Sequence, residues 1–287
     1  MLNDRSFKCV YGQLERVSPL IRRIVAENPG PFTFLGTGTY VVGHGKVAVI
    51  DPGPLLQSHV DALLSALSGE TVTHILVTHT HTDHSPAARL LRGATGAPTV
   101  GFGPHGQVGD TGEAGADVEF VPDVAIADGD VVAGPGWRLE ALHTPGHASN
   151  HLCFALAQEA ALFAGDQVMG WSTTVIAPPD GNMAAYMRSL DRLSRRHDEV
   201  YWPTHGGAIF DPKAHLAELI SHRVARRRAV LAALAGQTMT PAEIVRRVYV
   251  DLDSRLIAAA AQSVLAHLHE LADAGLVVED QGFWHQM

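Results

Sequence analysis

Short runs of branched apolar residues, each closed by glycine, proline or a polar pair, recur through the first 210 residues of the chain. Residues 73–78 (THILVT) form one such run, and 46–50, 137–142, 151–156, 161–164 and 199–202 form others. Branched and aromatic residues in runs this short predict buried strands. Residues 34–42 and 46–50 read as a hairpin turning through Gly43-His44-Gly45, and 98–102 as a further short strand. Residues 57–67 carry an amphipathic helical period, and 87–91 and 184–194 are also helical in pattern. Ser85-Pro86 marks a helix start, with serine as the cap and proline near the first helical position. Residues 1–30 hold an N-terminal strand and a connector, and the glycine-rich stretch 103–115 reads as a surface loop. Strands mixed with alternating helices predict two packed sheets with helices on both outer sides.

The pattern changes near residue 211. Residues 213–235 read as one long helix bearing Arg223, Arg226, Arg227 and Arg228. Thr240-Pro241-Ala242-Glu243 is a helix start in which Glu243 completes a capping box. Ile257, Ala260 or Ala261, Val264, Leu268 and Leu271 recur at helical spacing and should face a core, and Gly275 ends that helix. Residues 276–279 and 282–285 then read as two short strands about a turn. Helix, helix and hairpin predict a winged helix. The expected organisation is a catalytic domain over residues 1–210 and a winged-helix-like domain over 211–287.

The chemistry is concentrated in one segment. T-H-T-H-T-D-H at 78–84 places His79, His81, Asp83 and His84 in six consecutive positions, where the strand at 73–78 ends. Imidazole and carboxylate together suit Zn²⁺ and its first-row neighbours, with manganese and iron permitted by the same donors. Alternating residues point different ways, so four such groups do not converge on one ion. The spacing suits two ions side by side, one taking His79 and His81, the other Asp83 and His84. A two-metal site implies hydrolysis. Three other predicted strands end in a candidate ligand: His147 in T-P-G-H at 144–147, Asp166 in G-D at 165–166, and His205 in P-T-H-G at 203–206.

This set, together with the V-A-V-I-D-P-G run at 47–53, resembles the metallo-β-lactamase superfamily of hydrolases. The resemblance implies a four-layer αββα sandwich. It also implies that His79, His81 and His147 bind one metal, that Asp83, His84 and His205 bind the other, and that Asp166 bridges them. Asp51 would orient a ligand imidazole from behind. Two Zn²⁺ ions would share a bridging hydroxide as nucleophile, with Asp83 and Asp166 as the catalytic carboxylates, because metal lowers the pKa of bound water to about 7. The chain is acidic, with formal net charge −9. Two divalent ions set against Asp83, Asp166 and hydroxide nevertheless leave the site about +1, enough to hold an anionic substrate. The hydroxyls of Ser172 and Thr173 follow Asp166 closely and are candidate substrate contacts.

With the C-terminal pattern added, the chain is similar to the β-lactamase-like protein 2 group of the superfamily. The cues are Ser221-His222-Arg223, the 226–228 arginines, residues 259–268, and G-D-Q-V-M-G at 165–170. Animal members of that group look like endoribonucleases acting on single-stranded RNA. The resemblance thus implies a phosphodiesterase or ribonuclease activity on RNA, with a glyoxalase II-like thioester hydrolase acting on a small anionic thioester as the alternative. A third reading is a non-catalytic winged-helix regulator that contacts nucleic acid through Arg246, Arg247 and Arg255. A β-lactam substrate is disfavoured, since the true β-lactamases do not place histidine directly after that aspartate. Residues 211–287 carry eight Lys and Arg against nine Asp and Glu, so this region offers little electrostatic footprint for nucleic acid and reads better as a structural cap. Only two cysteines, no apolar signal core and no stretch of 18 apolar residues point to a cytoplasmic protein with no membrane association. Homodimers are common among relatives.

Overall fold

Strands buried on both faces set the layers. In the computed structural model, which describes residues 4–106, 115–250 and 254–287, seven strands form the first sheet in chain order. They are β1 (Glu15–Arg16), β2 (Ile21–Val25), β3 (Gly38–Val42), β4 (Lys46–Ile50), β5 (Thr71–Leu76), β6 (Thr99–Gly101) and β7 (Val124–Ala125). The first four strands pair antiparallel. From β4 onward pairing is parallel, which requires crossovers. Helices α1 (Gln57–Ala66) and α2 (Ala88–Thr95) supply the two crossovers on either side of β5. The second sheet has β8 (Val131–Gly134), β9 (Trp137–His143), β10 (Leu152–Leu156), β11 (Ala161–Gly165) and β12 (Val200–Pro203) in the order β12-β11-β10-β9-β8. Helix α3 (Met183–Ser194) links its parallel pair β11 and β12.

Alternate residues serve opposite faces. Tyr40, Val42, Ala48 and Ile50 point into the sandwich, where they meet Trp137, Leu139, Phe154 and Phe163 of the second sheet. Val41, Val47 and Val49 face outward against Leu63 of α1 and Leu91 of α2. Cys153, Ala155 and Leu162 face outward on the other side, against Tyr186 and Leu190 of α3 and Leu216 and Leu219 of α4 (Pro212–Ala233). This is the expected four-layer αββα arrangement. Trp137 is its largest fully buried side chain, and its indole N–H donates to the Lys46 carbonyl at 3.0 Å. Gly43 and Gly134 make room for that ring: a Cβ on either would lie 2.3–2.4 Å from it.

The C-terminal module has its own core. Val230 and Ala233 of α4, Ile244 and Val245 of α5 (Pro241–Val248), and Val264, Leu268 and Leu271 of α6 (Ile257–Asp273) enclose it. The hairpin β13 (Val277–Asp280) and β14 (Phe283–Gln286) closes it with Val277 and Trp284. Gly275, at φ +67°, makes the left-handed turn after α6. Helix α4 contributes to both cores, its first half to the sandwich and its second half to this module.

Three local expectations are corrected. Residues 34–37 are not strand: Phe34 lies at φ +57° in a turn closed by reciprocal Gly30–Phe34 backbone bonds. Ser85 does not cap α2, because its hydroxyl donates to Asp117 Oδ2 at 2.5 Å and the helix begins without a side-chain cap. Ile257 is 42% exposed, since it opens α6 beside a 3₁₀ turn rather than in the core-facing stripe. Most of the predicted 103–115 loop, residues 107–114, and the side chain of Arg255 lie outside the described residues. Among the described residues no helix is long and apolar enough to cross a membrane.

The capping box is present in full, with Glu243 N–H donating to Thr240 Oγ1 and Thr240 N–H donating to Glu243 Oε2 at 2.8 Å. Thr240→Ala is expected to cost about 1 kcal/mol of stability, read from the midpoint of urea denaturation.

Candidate metal centre

Five strand ends from both sheets deliver side chains to one place. Asp51 follows β4, residues 79–84 follow β5, His147 follows β9, Asp166 follows β11 and His205 follows β12. Three groups have potential ligand atoms within 4.8 Å of one another: His79, His81 and His147; His79, His84 and Asp166; and Asp83, His84 and His205. The structure thus brings together all seven ligands expected from the sequence. His79 Nε2 lies 3.0 Å from His81 Nδ1. Asp83 Oδ2 lies 3.1 Å from His205 Nε2 and 3.4 Å from His84 Nε2. Asp166 faces both groups, with Oδ2 at 3.7 Å from His147 Nε2 and 3.4 Å from His205 Nε2, and Oδ1 at 3.6 Å from His84 Nε2.

These spacings fit a metal. Two nitrogens bound tetrahedrally to one Zn²⁺ at about 2.1 Å lie roughly 3.4 Å apart. His84 Nε2, His147 Nε2 and Asp166 Oδ1 are buried and make no hydrogen bond, a costly condition unless something else engages them. His81 and Asp83 are partly exposed while His79, His84 and His205 are fully buried, so the cluster opens to solvent on the side of His81 and Asp83.

Three of the imidazoles are oriented from behind. His84 Nδ1 bonds Asp51 Oδ2 at 2.9 Å, His147 Nδ1 bonds the Val175 carbonyl at 2.7 Å, and His205 Nδ1 bonds the Gly36 carbonyl at 3.1 Å. A proton held on Nδ1 leaves Nε2 as the donor atom facing inward. Asp51 also accepts from Thr78 N–H at 2.8 Å, Thr78 Oγ1 at 2.7 Å and Thr204 Oγ1 at 3.2 Å. It does so from a left-handed backbone, φ +49°, which aspartate tolerates better than most residues.

Charge coupling divides the histidines. Burial lowers His84, but Asp83, Asp166 and Asp51 outweigh it and hold the imidazole well above its usual value. Burial likewise opposes His205, yet Asp166 and Asp83 raise it to about 10. The two carboxylates answer in kind: burial raises Asp83 and Asp166, and the neighbouring His84 and His205 bring both well below the ordinary range. His79 is driven well down by burial and by the surrounding imidazoles, and His147 falls to about 4 for the same reasons.

Ser172 and Thr173 are half-buried on the loop after Asp166, and their neighbour Thr174 donates to the Asp166 carbonyl at 2.8 Å. Sequence context does not single out His151. It is buried behind the cluster, where Asp166 N–H donates to its Nε2 at 3.2 Å and Thr144 Oγ1 lies 2.9 Å from its Nδ1. Histidines without motif support sit in ordinary roles, His59 against Thr39 and His143 stacked on Phe102.

Two family models match the chain. The metallo-beta-lactamase superfamily model covers residues 33–205, and the beta-lactamase associated winged helix domain covers residues 240–284. A lactamase-like protein of Aspergillus niger is 36% identical over 225 residues, 77% of this chain and 66% of its own length, so the chain spans just under two thirds of that relative. An atrochrysone carboxyl ACP thioesterase of Aspergillus chevalieri is 32% identical over 287 residues, 94% of this chain and 86% of its own. The crystal structure of a metallo-beta-lactamase family protein from Thermus thermophilus matches with a TM-score of 0.76 at 25% identity, over 95% of this chain and 100% of that one.

In the metal-free protein, His84 and His205 are protonated at pH 7, so loading the centre should release about two protons. Calorimetry in buffers of different ionisation enthalpy reads that number, and metal affinity should strengthen as pH rises toward 10. Without metal the sign reverses. The raised His205 contributes stability that is complete below the unfolded imidazole pKa of about 6.5 and is lost as pH rises through about 10. Asp51→Asn, which removes the charge behind His84, should weaken metal affinity about 10–100-fold, read by chelator competition.

Proposed function

The chain belongs to the metallo-beta-lactamase superfamily of metal-dependent hydrolases, and on that premise we propose that it hydrolyses acyl thioesters at a two-metal centre. In this reading His79, His81 and His147 hold one ion, Asp83, His84 and His205 hold the other, and Asp166 spans both. The imidazole-rich donor set favours zinc, with manganese or iron accepted by the same atoms. When bound, the metal pair activates water near neutral pH and polarises the carbonyl under attack. The protein's own part is positional. Asp51, Val175 and Gly36 fix three imidazole tautomers, and Asp83 and Asp166 supply the negative charge that two cations require.

The observation that carries the thioester reading is the similarity to a named thioesterase across 94% of this chain. The leaving group agrees with it. A thiol of pKa about 8.5 departs as thiolate with little help from an acid, which suits a site whose sequence marks ligands and no separate proton donor. A ribose alkoxide is a poorer leaving group and calls for an acid or a metal on its oxygen.

The arginines of the C-terminal module bear on the RNA alternative. Arg226 lies over the Tyr249 ring at 4.2 Å and donates to the Val248 carbonyl, Arg227 pairs with Glu270 at 3.2 Å, and Arg247 donates to the Ala233 carbonyl. Side chains engaged inside the module offer less to a phosphate backbone than the sequence cluster suggests. This favours the module as a structural cap beside the site, with Ser172 and Thr173 as candidate contacts for an acyl or carrier group.

The test is a panel of metal-loaded protein against acyl-CoA, acyl-carrier-protein and glutathione thioesters, with labelled single-stranded RNA as the competing arm. Thioester turnover is expected, and Asp166→Ala should lower kcat/KM by more than about 100-fold, beyond the loss typical of residues that act only from behind a ligand. RNA cleavage abolished by the same substitution, with inert thioesters, would replace this reading. Equal activity of wild type and Asp166→Ala would remove the ligand assignment.

A further inference from the structure

One buried cation of α4 reaches the back of the metal site. Arg223, midway along α4, is only 3% exposed. A buried guanidinium is unfavourable unless its hydrogen-bonding capacity is used. The partners here are a backbone carbonyl and an aromatic face: Nη2 donates to the Thr174 carbonyl, and the guanidinium lies 5.2 Å from the Tyr186 ring centroid. Nε makes no hydrogen bond. An arginine kept in so poorly compensated a position is better explained by what its two partners hold than by packing alone.

Both partners lead to the ligands. Thr174 Oγ1 donates to the Asp166 carbonyl at 2.8 Å, and the next residue, Val175, supplies the carbonyl that orients His147. The Tyr186 hydroxyl donates to the Gln167 carbonyl at 3.0 Å, immediately after Asp166. The Tyr186 backbone packs against Gly146, next to His147, so closely that a Cβ on Gly146 would lie 2.3 Å from Tyr186 Cα. Arg223 therefore touches the two groups that grip the Asp166 turn and flank His147.

We infer that Arg223 is a positioning residue of the metal centre: through Thr174 and Tyr186 it holds the Asp166 turn and the carbonyl behind His147, coupling the helix that carries the winged module to the metal ligands. The inference rests on the ligand set proposed above and goes beyond it by assigning the C-terminal helix a part in metal binding. A coupling of this kind is reciprocal, so occupancy of the centre must also steady α4.

The experiment titrates metal-free full-length protein with Zn²⁺ against a chromophoric chelator. Wild type is compared with Arg223→Met, Arg223→Lys and Leu268→Ala. Leu268 lies in the core of the winged module, away from the loop, and serves as the control for simple loss of stability. Arg223→Met should raise the Kd about tenfold or more, Arg223→Lys should fall between it and wild type, and Leu268→Ala should lower the Tm with the Kd unchanged. The wild type's own stoichiometry reads the ligand assignment, while the ratio of variant to wild-type Kd reads this coupling, so the two can fail separately. An Arg223→Met Kd within about twofold of wild type, or an equal rise in Leu268→Ala, overturns the inference. If Arg223→Met does not fold, amide exchange in the wild type decides it: zinc should slow exchange in α4 around residue 223, and unchanged exchange there overturns the inference.

Discussion

The Asp51 carboxylate is the tie on which the site depends. It joins the end of β5, through Thr78, to the end of β12, through Thr204, and so binds one sheet to the other at the edge where the ligands gather. Its remaining capacity goes to His84 Nδ1. A sandwich held only by apolar contacts can slide, because hydrophobic burial is non-directional. Directed bonds from one buried anion to both sheets remove that freedom where ligand atoms must sit within a few tenths of an ångström of their required positions. The left-handed backbone at Asp51 is the local cost of aiming the carboxylate there, and Thr39 Oγ1 braces it by donating to the Asp51 carbonyl at 2.7 Å.

The same geometry explains how so much charge is tolerated indoors. Asp166 is buried, and Asp83 is three-quarters buried, beside imidazoles that are themselves deprived of water. A buried carboxylate alone would take up a proton. Here His84 and His205 keep the protons and the carboxylates stay ionised, so the metal-free cluster is a set of paired charges rather than isolated ones. Such a cluster fits cations: a metal could replace the protons while the orienting bonds behind His84, His147 and His205 stayed as they are. The buried Nε2 atoms of His84 and His147, which make no hydrogen bond, are the atoms such a cation would engage.

How much of this could be read from the chain depends on whether a role belongs to a side chain or to the backbone. The T-H-T-H-T-D-H segment was legible because ligation needs particular side chains, and strands that end at one edge of a sandwich concentrate them in short loops. The sandwich and the capping box at Thr240 were legible for a related reason, since short apolar runs and cap chemistry are local. Gly36 and Val175 act through carbonyls that any residue provides, so nothing in their identity marked them. His151 has a diagnostic side chain but no motif, because its partner is a backbone N–H of Asp166 brought close only by the pairing of β10 with β11. Ser85 misled for the opposite reason. It has the right chemistry for a cap, yet Asp117, more than thirty residues on, offers a better acceptor.

The arginines of α4 carry that argument furthest. As a sequence they form a basic cluster, and a basic cluster suggests phosphate. Helical geometry disperses it: Arg223 turns into the sandwich, Arg226 turns onto Tyr249, and Arg227 turns toward Glu270 of α6. Arg226 and Arg227 meet different neighbours because adjacent helical residues do not share a face, while Arg223 lies one turn nearer the sandwich. The helix thereby fastens three surfaces at once, the loop after Asp166, α5 and α6, and its two ends belong to two hydrophobic cores. A module attached in this way is held to the sandwich by directed polar contacts as well as by apolar packing.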